Sequence, residues 1–314
     1  MSILKVRKTY KGLKRYGRIA SVFVRYGFGD IVDRLKVRYY LPWQKKVFKG
    51  GVEGVEYLST AERLRMAFEE LGHTFIKLGQ LLSCRPDLLP ADFIKEFNKL
   101  QDRVQPFSFD DVKTIIEIQL GRSLTELFKH IDEKPVASAS LAQVHRAKTV
   151  AGDNVAVKVQ RPAIEEIIET DIRILYDFAF LFERHLPESR YYEPIKLVDE
   201  FARTIRREID FVREGRNIER FRKYFANDKT VYFPKVYWDL TSSKVLTTEF
   251  ITGIKIANIE KLKEAGLDCK TIAINGATLI LKEVFEAHLF HADPHPGNLF
   301  VLENNVIAHV DRYS

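Results

Sequence analysis

The sequence predicts an α+β protein built as two lobes, and three observations carry that expectation. Strand-like segments concentrate between residues 131 and 256, while the stretches before and after them read as helices. At 314 residues, 46% apolar and 30% charged, the chain can bury an ordinary core and lacks the composition of a disordered one. It contains neither an internal repeat nor a low-complexity tract, which argues against a solenoid. A site is expected between the lobes, where clefts form.

Residues 1–54 form a basic amphipathic leader. Residues 1–50 hold 14 Lys/Arg against Asp30 and Asp33, a charge of +12, so the other 264 residues carry −5 of the total +7. Leu13, Ile19, Val22, Phe23 and Phe28 interleave with these charges. The pattern admits a membrane-surface helix drawn to anionic lipid, a nucleic-acid arm, or an amphipathic arm packed on the body. No apolar core follows the basic residues, as a signal peptide would need, and no uncharged run approaches the ~20 residues that span a bilayer. Cys84 and Cys269 lie far apart without metal-ligand spacing and read as reduced thiols of a cytosolic protein.

Gly50, Gly51 and Gly54 mark the junction to a helical extension at 55–130. Leu64, Ala67, Phe68, Leu71, Phe75, Leu78 and Leu82 recur at helical period and predict one continuous helix. Lys77 and Gln80 fall on a different, exposed face. Gly72 and Gly79 cost helix stability, which points to a close approach by neighbouring backbone.

The third block, 131–253, opens with strands over 135–150 and 154–160, joined by an Ala-Gly-Asp-Asn turn. Helices over 164–184 and 197–225 follow, then strands over 231–236 and 244–250. From Ile256 the pattern is helical until His288, with Thr271–Leu281 reading as a buried helix, and then a loop and a short hairpin.

The chemistry concentrates in His291-Ala-Asp293-Pro-His-Pro-Gly-Asn298, followed by Val306-Ile-Ala-His-Val-Asp311. An Asp and an Asn five positions apart match a kinase catalytic loop, in which Asp293 accepts the substrate proton and Asn298 holds magnesium. Asp311, 13 residues after Asn298, falls where a second magnesium-binding carboxylate belongs. Triphosphate charge needs hard cations, and these prefer carboxylate and amide oxygens.

Strand periodicity puts Val155, Val157 and Val159 on one face and Ala156 with Lys158 on the other. A small residue beside a lysine leaves room for a purine and sets an ammonium near its phosphates. Upstream, Pro135-Val-Ala137-Ser138-Ala139-Ser140-Leu-Ala142 stands where a glycine-rich phosphate loop would be, yet has no glycine. Its backbone N–H groups and serine hydroxyls are donors, and its Cβ atoms make it stiffer.

Together with Phe75-Ile-Lys77-Leu-Gly79-Gln80 and Glu208-Ile-Asp210-Phe-x-x-Glu214-Gly-x-Asn217, these motifs resemble the UbiB/AarF family of atypical protein-kinase-like proteins over roughly residues 20–311. The resemblance implies a protein-kinase-like two-lobed fold with an N-terminal helical extension and, from residue 254, an incomplete C-lobe. It implies ATP or ADP with Mg, and a link to ubiquinone or other isoprenoid-lipid metabolism. The extension would cover the protein-substrate entrance and direct Lys77 and Gln80 at the nucleotide. Glu214 would pair with Lys158, and Glu208 or Asp210 would engage Lys77. Val245-Leu-Thr-Thr-Glu249-Phe250-Ile251-Thr-Gly253 resembles the hinge between kinase lobes, with backbone groups near Glu249 and Ile251 on the adenine edge. Expected partners are an adenine nucleotide, isoprenoid lipid or quinone-pathway enzymes, and an anionic membrane surface, with no nucleic acid. The expected location is cytoplasmic, peripheral at the inner face of the membrane.

The family continues Asp-Phe-Gly where this chain has Asp311-Arg312-Tyr313-Ser314 and stops. That departure reads as a fragment or a frameshifted frame in preference to a natural short form, with most of the nucleotide ligands upstream of the break. A small-molecule kinase of the aminoglycoside or choline type shares the Asp–Asn loop, but the Ala-rich loop and the Lys77 motif argue against it. A non-catalytic nucleotide-binding scaffold is the alternative from another class. No flavin fingerprint or oxygenase facial triad supports a hydroxylase.

Overall fold

The computed structural model describes residues 10–35, 57–100, 105–286 and 299–310. Its helices are α1 (Tyr10–Arg25), α2 (Gly29–Arg34), α3 (Thr60–Leu71), α4 (His73–Ser83), α5 (Ala91–Phe97), α6 (Phe109–Leu120), α7 (Leu124–Leu127), α8 (Ile164–His185), α9 (Pro194–Glu208), α10 (Phe211–Tyr224), α11 (Ile259–Glu264) and α12 (Cys269–Phe285). Its strands are β1 (Phe128–Ile131), β2 (Ala137–Ser138), β3 (Ala142–Thr149), β4 (Asn154–Gln160), β5 (Val231–Tyr232), β6 (Val245–Glu249), β7 (Ile254–Lys255), β8 (Leu299–Val301) and β9 (Ile307–His309). Two compact units divide them: Met1–Asp102 with Ala163–Arg207, and Arg103–Pro162 with Glu208–Ser314.

The first unit is helical and includes the described part of the basic leader. Ile19, Ala20 and Val22 of α1 are buried, and α1 packs on α3 and α8. Arg15 forks onto Asp171 of α8, Nε to Oδ1 at 2.6 Å and Nη2 to Oδ2 at 2.7 Å, and also donates to the Leu71 carbonyl at 2.9 Å. Asp171 is fully buried, and a carboxylate in that position needs such a partner. Of the three readings of the leader, residues 10–35 take the packed arm.

The apolar stripe predicted as one helix is two. Ser59 caps α3 through a reciprocal pair with Glu62, and the helix stops at Gly72, whose φ of 91° no helix accommodates. The stripe resumes in α4, and Phe68 packs against Phe75 and Phe97 at centroid distances of 5.8 and 5.3 Å. At Gly79 the close approach is by side chains rather than backbone. A Cβ there would stand 2.3 Å from Leu100 Cδ1 and 3.0 Å from Phe68 Cδ2.

The second unit holds two sheets. The larger has the order β1-β3-β4-β6, with β2 on the β1 edge of β3, all antiparallel. The smaller has the order β5-β9-β8-β7, with β5 parallel to β9. The alternation read from the sequence holds on β4: Val155, Val157 and Val159 are buried in one core with Val112 and Ile116 of α6. The sheet begins at Phe128, inside the stretch expected to be helical.

Two further helical expectations need correction. The helix read across 197–225 breaks at Ile209–Asp210 into α9 and α10, with Asp210 as the N-cap of α10. Helix α12 is half-buried rather than buried: Ile272 and Leu279 join the core of the smaller sheet, whereas Ile274, Leu281 and Phe285 are 56%, 56% and 71% exposed. Among the described residues no helix is long and apolar enough to cross a membrane.

Candidate nucleotide site

In the second unit, strand β4 delivers Lys158 to the face opposite the valines. Its ammonium meets Glu214 of α10, Nζ to Oε1 at 2.6 Å, with the side chains only 16% and 12% exposed. The same ammonium lies 5.0 Å from the centroid of the Phe211 ring, one turn earlier on the helix. Glu214 occupies this place because Asp210 starts α10, its carboxylate accepting the Arg213 amide at 3.1 Å. Asp210 therefore stands outside the helix, not on a shared face with Glu214. Glu208 closes α9.

A narrow cavity of about 10 Å³, room for one water, opens beside the pair. Val144, Ala156, Ile218, Pro234, Leu246, Thr248 and Val310 line it with Lys158 and Glu214. Strand register explains the wall: Val144 pairs with Lys158 on one side, and Leu246 pairs with Lys158 and Thr248 with Ala156 on the other. Val310, Ile251 and Ala308 form one apolar cluster, against which Phe300 packs. Phe300 also borders an open groove of about 860 Å³ lined by Gly253–Lys255 and Ala257–Lys261.

Of the loop residues, Ala137 pairs with Val144 and so shares the Lys158 face. Ser138 pairs with Gln143, which pairs with Val159, and so faces away from Lys158. The Ser138 hydroxyl, expected as a donor beside the backbone N–H groups of the loop, is thus on the other face of the sheet from Lys158. Ser140 is fully buried, and its hydroxyl has no hydrogen-bond partner among the described residues. At the hinge, the Glu249 amide is committed to the Lys235 carbonyl at 2.8 Å. The Glu249 carboxylate accepts from the Tyr232 hydroxyl at 2.6 Å and the Lys235 amide at 3.3 Å. Burial and the Glu249 carboxylate push the Tyr232 hydroxyl up to about 12. The Ile251 amide, by contrast, donates to no backbone group among the described residues.

Lys77 and Gln80 belong to the first unit. Lys77 is buried, 5% exposed, instead of lying on an open helix face. The Gln80 amide donates to the Leu100 carbonyl at 3.2 Å, which ties it to its own unit. Asp293, Asn298 and Asp311 lie outside the described residues. Among the described residues no group of three or more His, Cys, Asp or Glu could hold a metal.

The described site sets a charge-balanced ammonium beside a small residue and a valine, next to room for one water. An ammonium has three N–H donors, so Lys158 can keep Glu214 and still donate to a phosphate oxygen. Thr248, Val144, Leu246 and Val310 escape sequence reading because their roles follow from register and from tertiary packing. Thr248 stands directly before Glu249 in the hinge-like run, and that adjacency is the one signal the sequence offers.

A family model, the ABC1 atypical kinase-like domain, matches residues 99–312. A "Probable protein kinase UbiB" of Marinobacter nauticus is 40% identical over 300 residues, covering 93% of this chain and 54% of the relative. The protein of the same name from Pseudomonas fluorescens SBW25 is 38% identical over 311 residues, covering 96% and 55%. The chain thus spans about half the length of these curated relatives. Among solved structures, the erythromycin complex of Rv3197 from Mycobacterium tuberculosis is similar. It shares 25% identity with a TM-score of 0.57, covering 88% of this chain and 66% of that one.

Proposed function

We propose, from the premise that this chain belongs to the ABC1 atypical kinase-like family, that it binds ATP or ADP with magnesium and acts as an atypical kinase or ATPase in ubiquinone or other isoprenoid-lipid metabolism. The observation that carries the reading is the Lys158–Glu214 pair at the inner end of the cavity walled by Ala156, Val144 and Thr248. In this reading Lys158 binds phosphate, Glu214 orients it, and the Ile251 amide takes the adenine edge. The Ala137–Ser140 loop covers the phosphates. Asn298 and Asp311 would hold the magnesium, which would neutralise phosphate charge when bound, and Asp293 would orient the acceptor. The basic leader would draw the protein to an anionic membrane surface.

Thermal unfolding of the chain with Mg-ATP and Mg-ADP, beside Lys158→Ala, tests the binding. Ligand at 100 times its dissociation constant adds about 2.7 kcal/mol of stability. A magnesium-dependent shift lost in Lys158→Ala supports the site. A folded wild-type chain with no shift counts against it.

A further inference from the structure

The loop from Ala137 to Leu141 has no glycine, and none of its residues has a positive φ. It nevertheless turns tightly, the Ala139 amide donating to the Ala142 carbonyl at 2.8 Å. Ordinary residues make turns without positive φ, so what sets this turn apart is the contact made to it from outside by Arg161, one position beyond β4. The Arg161 amide donates to the Leu141 carbonyl at 2.8 Å. Its Nη2 donates to the Ala139 carbonyl at 3.3 Å and to the Gln105 carbonyl at 3.2 Å.

The far side of this latch is anchored as well. The Arg161 guanidinium lies over the Phe107 ring, 5.2 Å from its centroid. The Phe107 amide donates to Gln143 Oε1 at 3.0 Å, and its carbonyl accepts from Gln143 Nε2 at 3.3 Å. Gln143 Nε2 also meets His145 Nε2 at 2.9 Å. His145 Nδ1 donates to the Asp132 carbonyl at 2.7 Å, and because the Gln143 amide nitrogen can only donate, His145 Nε2 accepts and the ring is neutral, the form its burial favours. One polar chain thus runs from Asp132 through β3 and Phe107 to Arg161 and the loop.

Arg161 is not placed for surface charge. Burial pushes its guanidinium down with no carboxylate to offset it, and no described carboxylate forms a salt bridge with it. A half-buried cation bonded to carbonyl oxygens is costly unless those bonds fix something.

We infer that Arg161 is a positioning residue that sets the stance of the Ala137–Leu141 loop over nucleotide phosphates, the task that glycine-rich loops leave to backbone freedom. The inference rests on the nucleotide reading proposed above. Lys158 lies three positions earlier on the same chain segment, so β4 delivers both the phosphate-binding ammonium and the latch of the loop.

The test compares Mg-ADP with adenosine, which has no phosphates, on the full chain carrying R161Q. Equilibrium binding of ADP is expected to weaken about ten-fold, about 1.4 kcal/mol, while adenosine binding stays within about two-fold of wild type on the same scale. Amide hydrogen exchange at residues 137–142 is expected to quicken. Should R161Q fail to fold, R161K keeps the charge and N–H donors but not the planar guanidinium over Phe107, and carries the same comparison. Equal weakening of ADP and adenosine, or unchanged ADP binding, reduces Arg161 to a strut of the fold and overturns the inference alone. A wild-type chain that binds neither ligand, with Lys158→Ala making no difference, overturns the nucleotide reading and the inference with it.

Discussion

Lys158 and Glu214 show how far single residues can be read. The alternation Val155-Ala156-Val157-Lys158 fixed the face of the lysine, because a strand allows only two. Its partner followed from the resemblance rather than from spacing. Asp210 was legible as a carboxylate but not as a cap, since a carboxylate before an apolar run looks alike in either place. The pair itself makes a quantitative prediction. Both side chains are largely buried, so removing one leaves an uncompensated charge, a loss of about 3–5 kcal/mol. Replacing both by apolar groups of similar size avoids that cost. Urea unfolding should therefore find Lys158→Met/Glu214→Leu less destabilised than Lys158→Met. Additive losses would show that each charge is satisfied independently of the other.

At the scale of elements, periodicity found the helices and missed where they stop. The apolar stripe passes through Gly72 without losing phase, so only the backbone angle betrays the break between α3 and α4. Ile209–Asp210 divides α9 from α10 in the same silent way. Helix α12 was misjudged for another reason: its run of apolar residues says nothing about how many faces have a partner. One of its polar contacts is testable. Lys282 on α12 meets Asp228, Nζ to Oδ2 at 2.6 Å, in the turn before β5. Burial pushes the Asp228 carboxyl up, but the Lys282 ammonium and the Thr230 hydroxyl and amide outweigh it and hold it at about 2, below its usual 3.8. A depressed carboxyl contributes stability above its unfolded pKa and loses it as pH falls through the folded one. The contribution is thus present above about pH 4 and fades toward pH 2. Denaturant unfolding from pH 4 to pH 2 should cost wild type more stability than Asp228→Asn, and parallel curves would show that the staple contributes nothing.

At the scale of the whole molecule, the segments read along the chain and the units in space do not coincide. The leader and the extension as far as residue 102 share one unit with α8 and most of α9, which interrupt the second unit in sequence, while residues 103–130 of the extension belong to that second unit. No composition shift marks that grouping, because it depends on contacts such as Arg15 with Asp171, 156 positions apart. The grouping changes what the leader can do. An interfacial helix binds by inserting its apolar face, but in α1 Ile19, Ala20 and Val22 are already buried within the protein. Lys14 and Arg18 remain exposed, so any attraction to a bilayer through this helix is electrostatic, worth about 1 kcal/mol for each basic residue near the surface. Such attraction is screened as the Debye length falls from about 10 Å at 0.1 M salt to about 3 Å at 1 M. Co-sedimentation should therefore find the chain on anionic vesicles at low salt, absent from neutral ones, and released at high salt. Binding that survives 1 M salt would mean that apolar insertion, by α1 leaving its place on α3 and α8 or by another segment, holds the protein to the membrane.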